Sequence, residues 1–392
     1  MTAFKPFDEK GTPIDEQWMS WSEMVKEPYD KNRADAYTRC RAILMNGIEN
    51  NSVLTSHVMD RMLDNSEVKE KLAAIRRADS QHQTTVNWLN PADQSVIETT
   101  IGFEQVAVDL TANLAKNEPD GYSRQVLDYA LIEDFDHLYR YNSLMELLEN
   151  KDAESIVQHK TDIMPGRPTA VEHRAPVDEM RKHMGRDADI KSILNNITIV
   201  SGEQQTMLFY KSHGNTYADD LARRLYAEIA EIEEQHVSQY EMVGYPGFSM
   251  LEKMTLIQLN EAYNYYSCAQ TEPDPRIREI WTMFMRDEIT HFNMCNEMLR
   301  KYENKDAMDL MRTDKVEPLI VFEPNKDYVK QIVETQVDLF PYDMEFVDKS
   351  ELPKDWASFA YRDKVNAGGA PSEEVIERAR ERRRAPRPAA AR

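Results

Sequence analysis

An acid three residues ahead of a histidine, set among apolar residues at helical spacing, recurs along this chain and restricts what it can fold into. The clearest copy lies in YAEIAEIEEQHVSQY, residues 226–240, where Glu233 precedes His236. On a helix that spacing puts the two side chains one turn apart on one face. The same face carries Tyr226, Ile229, Ala230, Val237 and Tyr240. Asp134 with His137, in LIEDFDHLYRY, and Glu288 with His291, in FMRDEITHFNMC, repeat the pattern. A buried carboxylate or imidazole left unpaired is costly. Each pair therefore requires a partner, either a core hydrogen bond or ion pair, or a metal that satisfies both groups.

Each pair also has one glutamate upstream: Glu104 lies 30 residues before Asp134, Glu203 30 before Glu233, and Glu261 27 before Glu288. Two helices joined by a short turn bring such a glutamate level with its pair. Spacing alone is weak evidence. With 69 acids in 392 residues, chance puts one three positions ahead of one or two of the nine histidines, and four have one. The flanks discriminate better. Asp134 sits among Leu127, Ala130, Leu131, Leu138, Tyr141 and Leu144, and Glu288 among Trp281, Phe284, Met285, Phe292 and Cys295. The fourth pair, Asp79 with His82, has Glu49 30 residues ahead, but its neighbours are Ile75, Arg76 and the polar run SQHQ. That stretch reads as solvated, and the pair is set aside.

One glutamate from each of two helices, with acid-x-x-His from each of two others, is the ligand pattern of di-iron and di-manganese carboxylate bundles. On these nine residues, over roughly 91–302, the chain resembles the ferritin-like di-metal carboxylate superfamily. The resemblance implies an all-α, ferritin-like up-down helical bundle holding two iron ions, with manganese or a mixed manganese/iron pair as the alternative. It implies activation of dioxygen or peroxide, an oxygenase or oxidase acting on a small organic substrate, an electron-donor protein and a homodimer. An Asp at 134, where the family usually has Glu, shortens that ligand by one methylene. Two other readings stand beside the enzyme: a ferroxidase or iron-handling protein with no organic substrate, and a metal-free helical scaffold that binds a partner.

Nine candidates are three too many for one centre, and two pairings compete. One uses Glu104, Asp134, His137, Glu203, Glu233 and His236, on helices predicted over 91–116, 122–149, 189–213 and 217–244. The other uses Glu203, Glu233, His236, Glu261, Glu288 and His291, adding helices over 250–270 and 275–302. The equal spacings of 30, and a long segment at 150–192 suited to a bundle crossover, favour the first. The remaining Glu261, Glu288 and His291 then form a buried polar cluster or an additional metal site. Within 150–192, Arg167, His173, Arg174, Arg181, Lys182 and His183 offer packing across the bundle end or cover for an anion entry. Tyr141, Tyr210 and Tyr240 each follow a ligand by seven residues and read as core aromatics, with pocket lining or a radical role as the alternative.

Outside the bundle, residues 1–90 read as an arm and helices packed against it, with an N-cap at Asn90 and Pro91 opening the next helix. Residues 304–370 read as an irregular, aromatic-anchored wrap. Residues 371–392, basic and rich in Pro and Ala, read as a disordered tail. A net charge of −21 argues against a nucleic-acid surface. There is no apolar run long enough for a bilayer and no cationic-apolar leader. Three cysteines without Cys-x-x-Cys suit a reducing cytoplasm. Cys268 and Cys295 are expected too far apart to bond.

Overall fold

Capping side chains determine where the helices of this chain begin. The computed structural model describes residues 3–179 and 182–384. An arm containing α1 (Trp21–Met24) leads to α2 (Ala36–Met62), where the Asp35 carboxylate accepts from the Tyr37 amide. Asn65 caps α3 (Ser66–Asn87), its side chain accepting from the Val68 amide. The helix expected from Pro91 instead starts as α4 (Val96–Lys116). Ser95 and Glu98 there form a reciprocal capping box, which satisfies the free first-turn amides five residues later. Asp120 caps α5 (Gly121–Glu149), and among its described residues the crossover holds the short α6 (Glu154–Val157) and two 3₁₀ turns. Asp189 caps α7 (Ile190–His213) and Asp219 caps α8 (Asp220–Val243). Ser249 with Glu252 opens α9 (Met250–Thr271), and Asp274 with Pro275 opens α10 (Pro275–Glu303).

The fold is all-α. The strands named among the described residues, β1 (Leu339–Tyr342) and β2 (Glu345–Asp348), form one antiparallel hairpin near the C-terminus. No described helix is long and apolar enough to cross a membrane. The hairpins α4/α5 and α7/α8 pack together as one four-helix unit, and α2/α3 with α9/α10 form a second. The two units meet along α2, which lies against α4 and α7. Cys40, Cys268 and Cys295 are buried and free.

The C-terminal region is more regular than expected. After α11 (Ala307–Met311), the wrap contains α12 (Lys326–Gln336), the β-hairpin and α13 (Ala357–Val365). The tail expected to be disordered forms α14 (Pro371–Arg384), which packs on α5 and α8. Its Val375, Ile376 and Ala379 are buried, and the Ser372 amide donates to Glu228 at 2.7 Å. Basic composition masks this apolar stripe. The rest of that tail, 385–392, lies outside the described residues.

Asp109 on α4 joins three distant segments. It accepts from Thr161 Oγ1 of the crossover at 2.6 Å, Tyr37 Oη of α2 at 3.2 Å and Asn325 Nδ2, ahead of α12, at 3.3 Å. Burial pushes its carboxyl up to about 7 against these hydrogen bonds. Between the ordinary aspartate range and pH 7 the folded chain keeps a proton the unfolded chain has lost, so stability falls as pH rises through that window. Asp109→Asn should therefore gain stability relative to wild type from pH 5 to pH 8, by roughly 1.4 kcal/mol for each tenfold difference in proton affinity that the substitution removes. Denaturant midpoints across that range would check it, and a pH-independent difference would refute it.

Candidate metal centre

Six of the nine predicted residues converge inside the α4/α5/α7/α8 unit: Glu104, Asp134, His137, Glu203, Glu233 and His236, at most 2 % exposed. They form two overlapping donor groups, Asp134, Glu203, Glu233 and His236 on one side and Glu104, His137 and Glu233 on the other. Glu233 belongs to both. Its Oε1 lies 3.2 Å from His137 Nδ1 and its Oε2 3.3 Å from His236 Nδ1. The imidazoles flank this carboxylate with centroids 6.1 Å apart. The pairing of the first two helix hairpins is thus the one the fold brings together. Glu261, Glu288 and His291 lie in the other four-helix unit. There they meet Glu49, Asp79 and His82, the set rejected on its polar flanks; all three of those are fully buried.

The outer nitrogens of the histidines are held by side chains that pattern reading did not select as functional. His137 Nε2 meets Glu172 Oε2 at 2.9 Å, and His236 Nε2 meets Glu133 Oε2 at 2.8 Å. With Nε2–H donated outward, each Nδ1 lone pair faces the carboxylates, the arrangement that orients a metal-binding imidazole. Glu133 is anchored in turn by Arg174 at 2.8 Å and Arg167 at 3.1 Å, both buried. The crossover therefore supplies packing and outer hydrogen bonds. His173 faces Glu228, His183 bonds the Met184 carbonyl and Lys182 sits over the Tyr122 ring, while Arg181 lies outside the described residues. Gly166 allows the crossover's close approach to α5, since a Cβ there would collide with the Ile132 carbonyl. Asp136 pins the same stretch by accepting from the Gly166 and Thr169 amides.

Electrostatics follow from burial. Glu203 is pushed up to about 7 by burial despite His236, and burial with the Glu233 charge raises Glu104. Burial and the Glu203 charge raise Asp134. Glu233 is held down at about 2, where its contacts with the His137 and His236 rings, whose cationic forms it stabilises, outweigh burial. Burial likewise disfavours ionised Glu133, yet Arg174, His236 and Arg167 hold it below the ordinary carboxylate range. Both oxygens of Asp134 and of Glu203, with Glu104 Oε2, Glu233 Oε2 and His236 Nδ1, are buried without a hydrogen-bond partner. A buried polar atom left unpaired costs about 1–3 kcal/mol, and here several face one another. Four carboxylates and two imidazoles suit two divalent ions, whose charge the carboxylates balance.

Three tyrosines close one end. Tyr210 Oη donates to Glu104, and the Tyr141, Tyr210 and Tyr226 ring centroids lie 4.9–5.6 Å apart. Tyr240, the third tyrosine marked in the sequence, lies tilted by 56° to the His236 ring, with centroids 6.4 Å apart. No protein-family model, curated protein or solved structure matches this chain. Loss of an outer acceptor weakens a metal site about 10–100-fold. Glu172→Ala should lower metal affinity by that order, with Glu172→Gln, which keeps an acceptor oxygen, less affected. Metal-binding isotherms would check it; unchanged affinity in the folded Ala variant would show that Glu172 does not orient His137.

Proposed function

We propose that this protein is a di-metal carboxylate oxidoreductase of the ferritin-like kind, with two iron ions, or manganese or a mixed pair, held by Glu104, Asp134, His137, Glu203, Glu233 and His236. The observation that carries the reading is the Glu233 carboxylate, reached by one histidine at each oxygen inside a buried set whose remaining oxygens, Glu104 Oε1 apart, lack hydrogen-bond partners. Two such ions, when bound, supply two-electron chemistry on dioxygen or peroxide. The chain's own residues hold the donors in register. Glu172 and Glu133 fix the imidazole tautomers, Tyr210 restrains Glu104, and the crossover with α14 covers α5. A small organic substrate, an electron-donor protein and a dimer in the reducing cytoplasm complete the reading. A metal-free scaffold fits poorly, because both oxygens of Asp134 and of Glu203 find no hydrogen-bond partner among the other groups of the site.

One observation favours the ferroxidase alternative. Neither the cavity of about 370 Å³ beside Asn196, Tyr245 and Ile257 nor that of about 300 Å³ beside Val108, Phe135 and Val333 is lined by any of the six ligands. A centre so enclosed admits small reactants, namely dioxygen, peroxide or Fe²⁺, more readily than a bulky substrate. Iron turnover separates the two: oxidation limited to the bound ions, with later dioxygen use dependent on an organic reductant or substrate, indicates the enzyme. Continued oxidation of thousands of Fe²⁺ per chain indicates iron handling. In either case Glu233→Ala with His236→Ala should remove two ions per chain from folded protein. Full metal retention in that variant would exclude the centre.

A further inference from the structure

The second four-helix unit buries a polar cluster that the proposed activity does not use. It is assembled from Glu49 on α2, Asp79 and His82 on α3, Glu261 on α9, and Glu288 and His291 on α10, all 0 % exposed. Glu288 Oε1 lies 3.0 Å from His82 Nδ1, and its Oε2 3.0 Å from His291 Nδ1. The two rings are 6.0 Å apart and inclined by 19°. In the first centre the matching rings are 6.1 Å apart and inclined by 25°.

The correspondence continues outward. Asp79 Oδ1 approaches His291 Nδ1 at 3.1 Å, as Asp134 Oδ1 approaches His236 Nδ1 at 3.4 Å. Tyr265 Oη donates to Glu49 at 2.5 Å, as Tyr210 does to Glu104. Outer groups again face Nε2: Gln17 Oε1 from the N-terminal arm lies 2.7 Å from His291, and the Asp287 carboxylate lies 3.3 Å from His82 without a hydrogen bond.

An ordinary buried ion network would satisfy its carboxylates. The same unit contains such a network at Glu272, whose oxygens accept from Thr38 Oγ1, the Asp274 amide, Arg41 Nη1 and Trp281 Nε1. Glu49 Oε2 and Glu261 Oε1 are buried as deeply and have no hydrogen-bond partner. Glu49, Asp79, His82 and Glu288 present donor atoms within 4.8 Å of one another, the reach of a shared cation. Four carboxylates again match the charge of two divalent ions.

We infer that Glu49, Asp79, His82, Glu261, Glu288 and His291 form a second di-metal centre, so that one chain carries two carboxylate-bridged sites in two packed bundles. The geometric comparison rests on reading the first cluster as a metal site, whereas the orphaned oxygens of the second stand independently. The outer shells differ. Two carboxylates, one of them paired with buried arginines, hold the first pair of histidines; one carboxylate and one neutral amide face the second. The sites are therefore inequivalent, and the second takes a divalent ion of the same hard, oxygen-preferring class, Fe²⁺ or Mn²⁺.

The test is the metal content of the full chain loaded anaerobically with Fe²⁺ and, separately, with Mn²⁺. Wild type should hold four ions. His82→Gln with His291→Gln should hold two, as should Glu233→Ala with His236→Ala, each confirmed folded by circular dichroism. A folded His82/His291 variant with the wild-type content would overturn the second centre and leave the first intact. Loss of metal in that variant, with full retention in the Glu233/His236 variant, would do the reverse. Should the variants fail to fold, anomalous scattering from wild-type crystals grown with Mn²⁺ decides. Peaks beside Glu288 support the inference, and peaks beside Glu233 alone, or at neither carboxylate, overturn it.

Discussion

The contact between the Glu233 carboxylate and the two histidine Nδ1 atoms is the interaction on which the rest of the first bundle depends. It joins α5 to α8 across the core with charged groups from which water is excluded. Such groups are tolerated only when geometry and partners compensate for lost hydration. The helical scaffold meets the geometric demand, since acid-x-x-His presents two donors from one turn and a glutamate from the neighbouring helix arrives level with them. The partner demand is met partly within the four helices, by Glu133 of α5 at His236, and partly from outside them. Glu172 reaches His137 from the crossover, and Arg174 from the same segment neutralises Glu133.

That requirement gives the appended segments a role beyond length. A four-helix unit leaves the outer nitrogens of its histidines facing its own periphery. In the first unit the crossover closes that face, pinned to α5 by Asp136 and held near α4 by Thr161 and Asp109. In the second unit the N-terminal arm does so, with Gln17 bonded to His291 and Thr12 accepting from Thr290. Helices α12 and α14 then cover the outside of α5, where Arg140 donates to the Ser372 carbonyl. The crossover and the N-terminal arm thus each lie over a helix that carries a histidine of a cluster, α5 and α10.

The two units are not separate modules along the chain. Of the eight bundle helices α2 and α3 come first and α9 and α10 last, so along the chain the first unit lies between the two halves of the second. Its buried polar set couples the two ends of the helical region and, through α2, packs against α4 and α7. Interactions between residues so far apart in sequence carry a large loop-closure cost. The apolar cluster spanning α2, α7, α9 and α10 is what offsets it.

Much of this was legible in sequence. Capping residues and apolar periodicity located the helices predicted over 91–302 to within a few residues, except at the start of α4, where the Ser95/Glu98 box prevailed over Asn90–Pro91. The spacing of 30 between glutamate and acid-x-x-His identified the first cluster, because a helical hairpin of fixed rise converts that spacing into equal height. What sequence could not supply is which faces become buried. Asp79 and His82 sit on a helix with a polar flank, and only α2, α9, α10 and the arm, brought from as far as 274 residues away between Gln17 and His291, remove them from water. Glu172 lies on an irregular segment with no period to read. The stripe of α14 is hidden within a basic run until α5 and α8 supply a surface for it. Local sequence determines helix and ligand spacing because both depend on residues within a turn or a hairpin; burial depends on what the distant chain packs against them, which the tertiary structure alone decides.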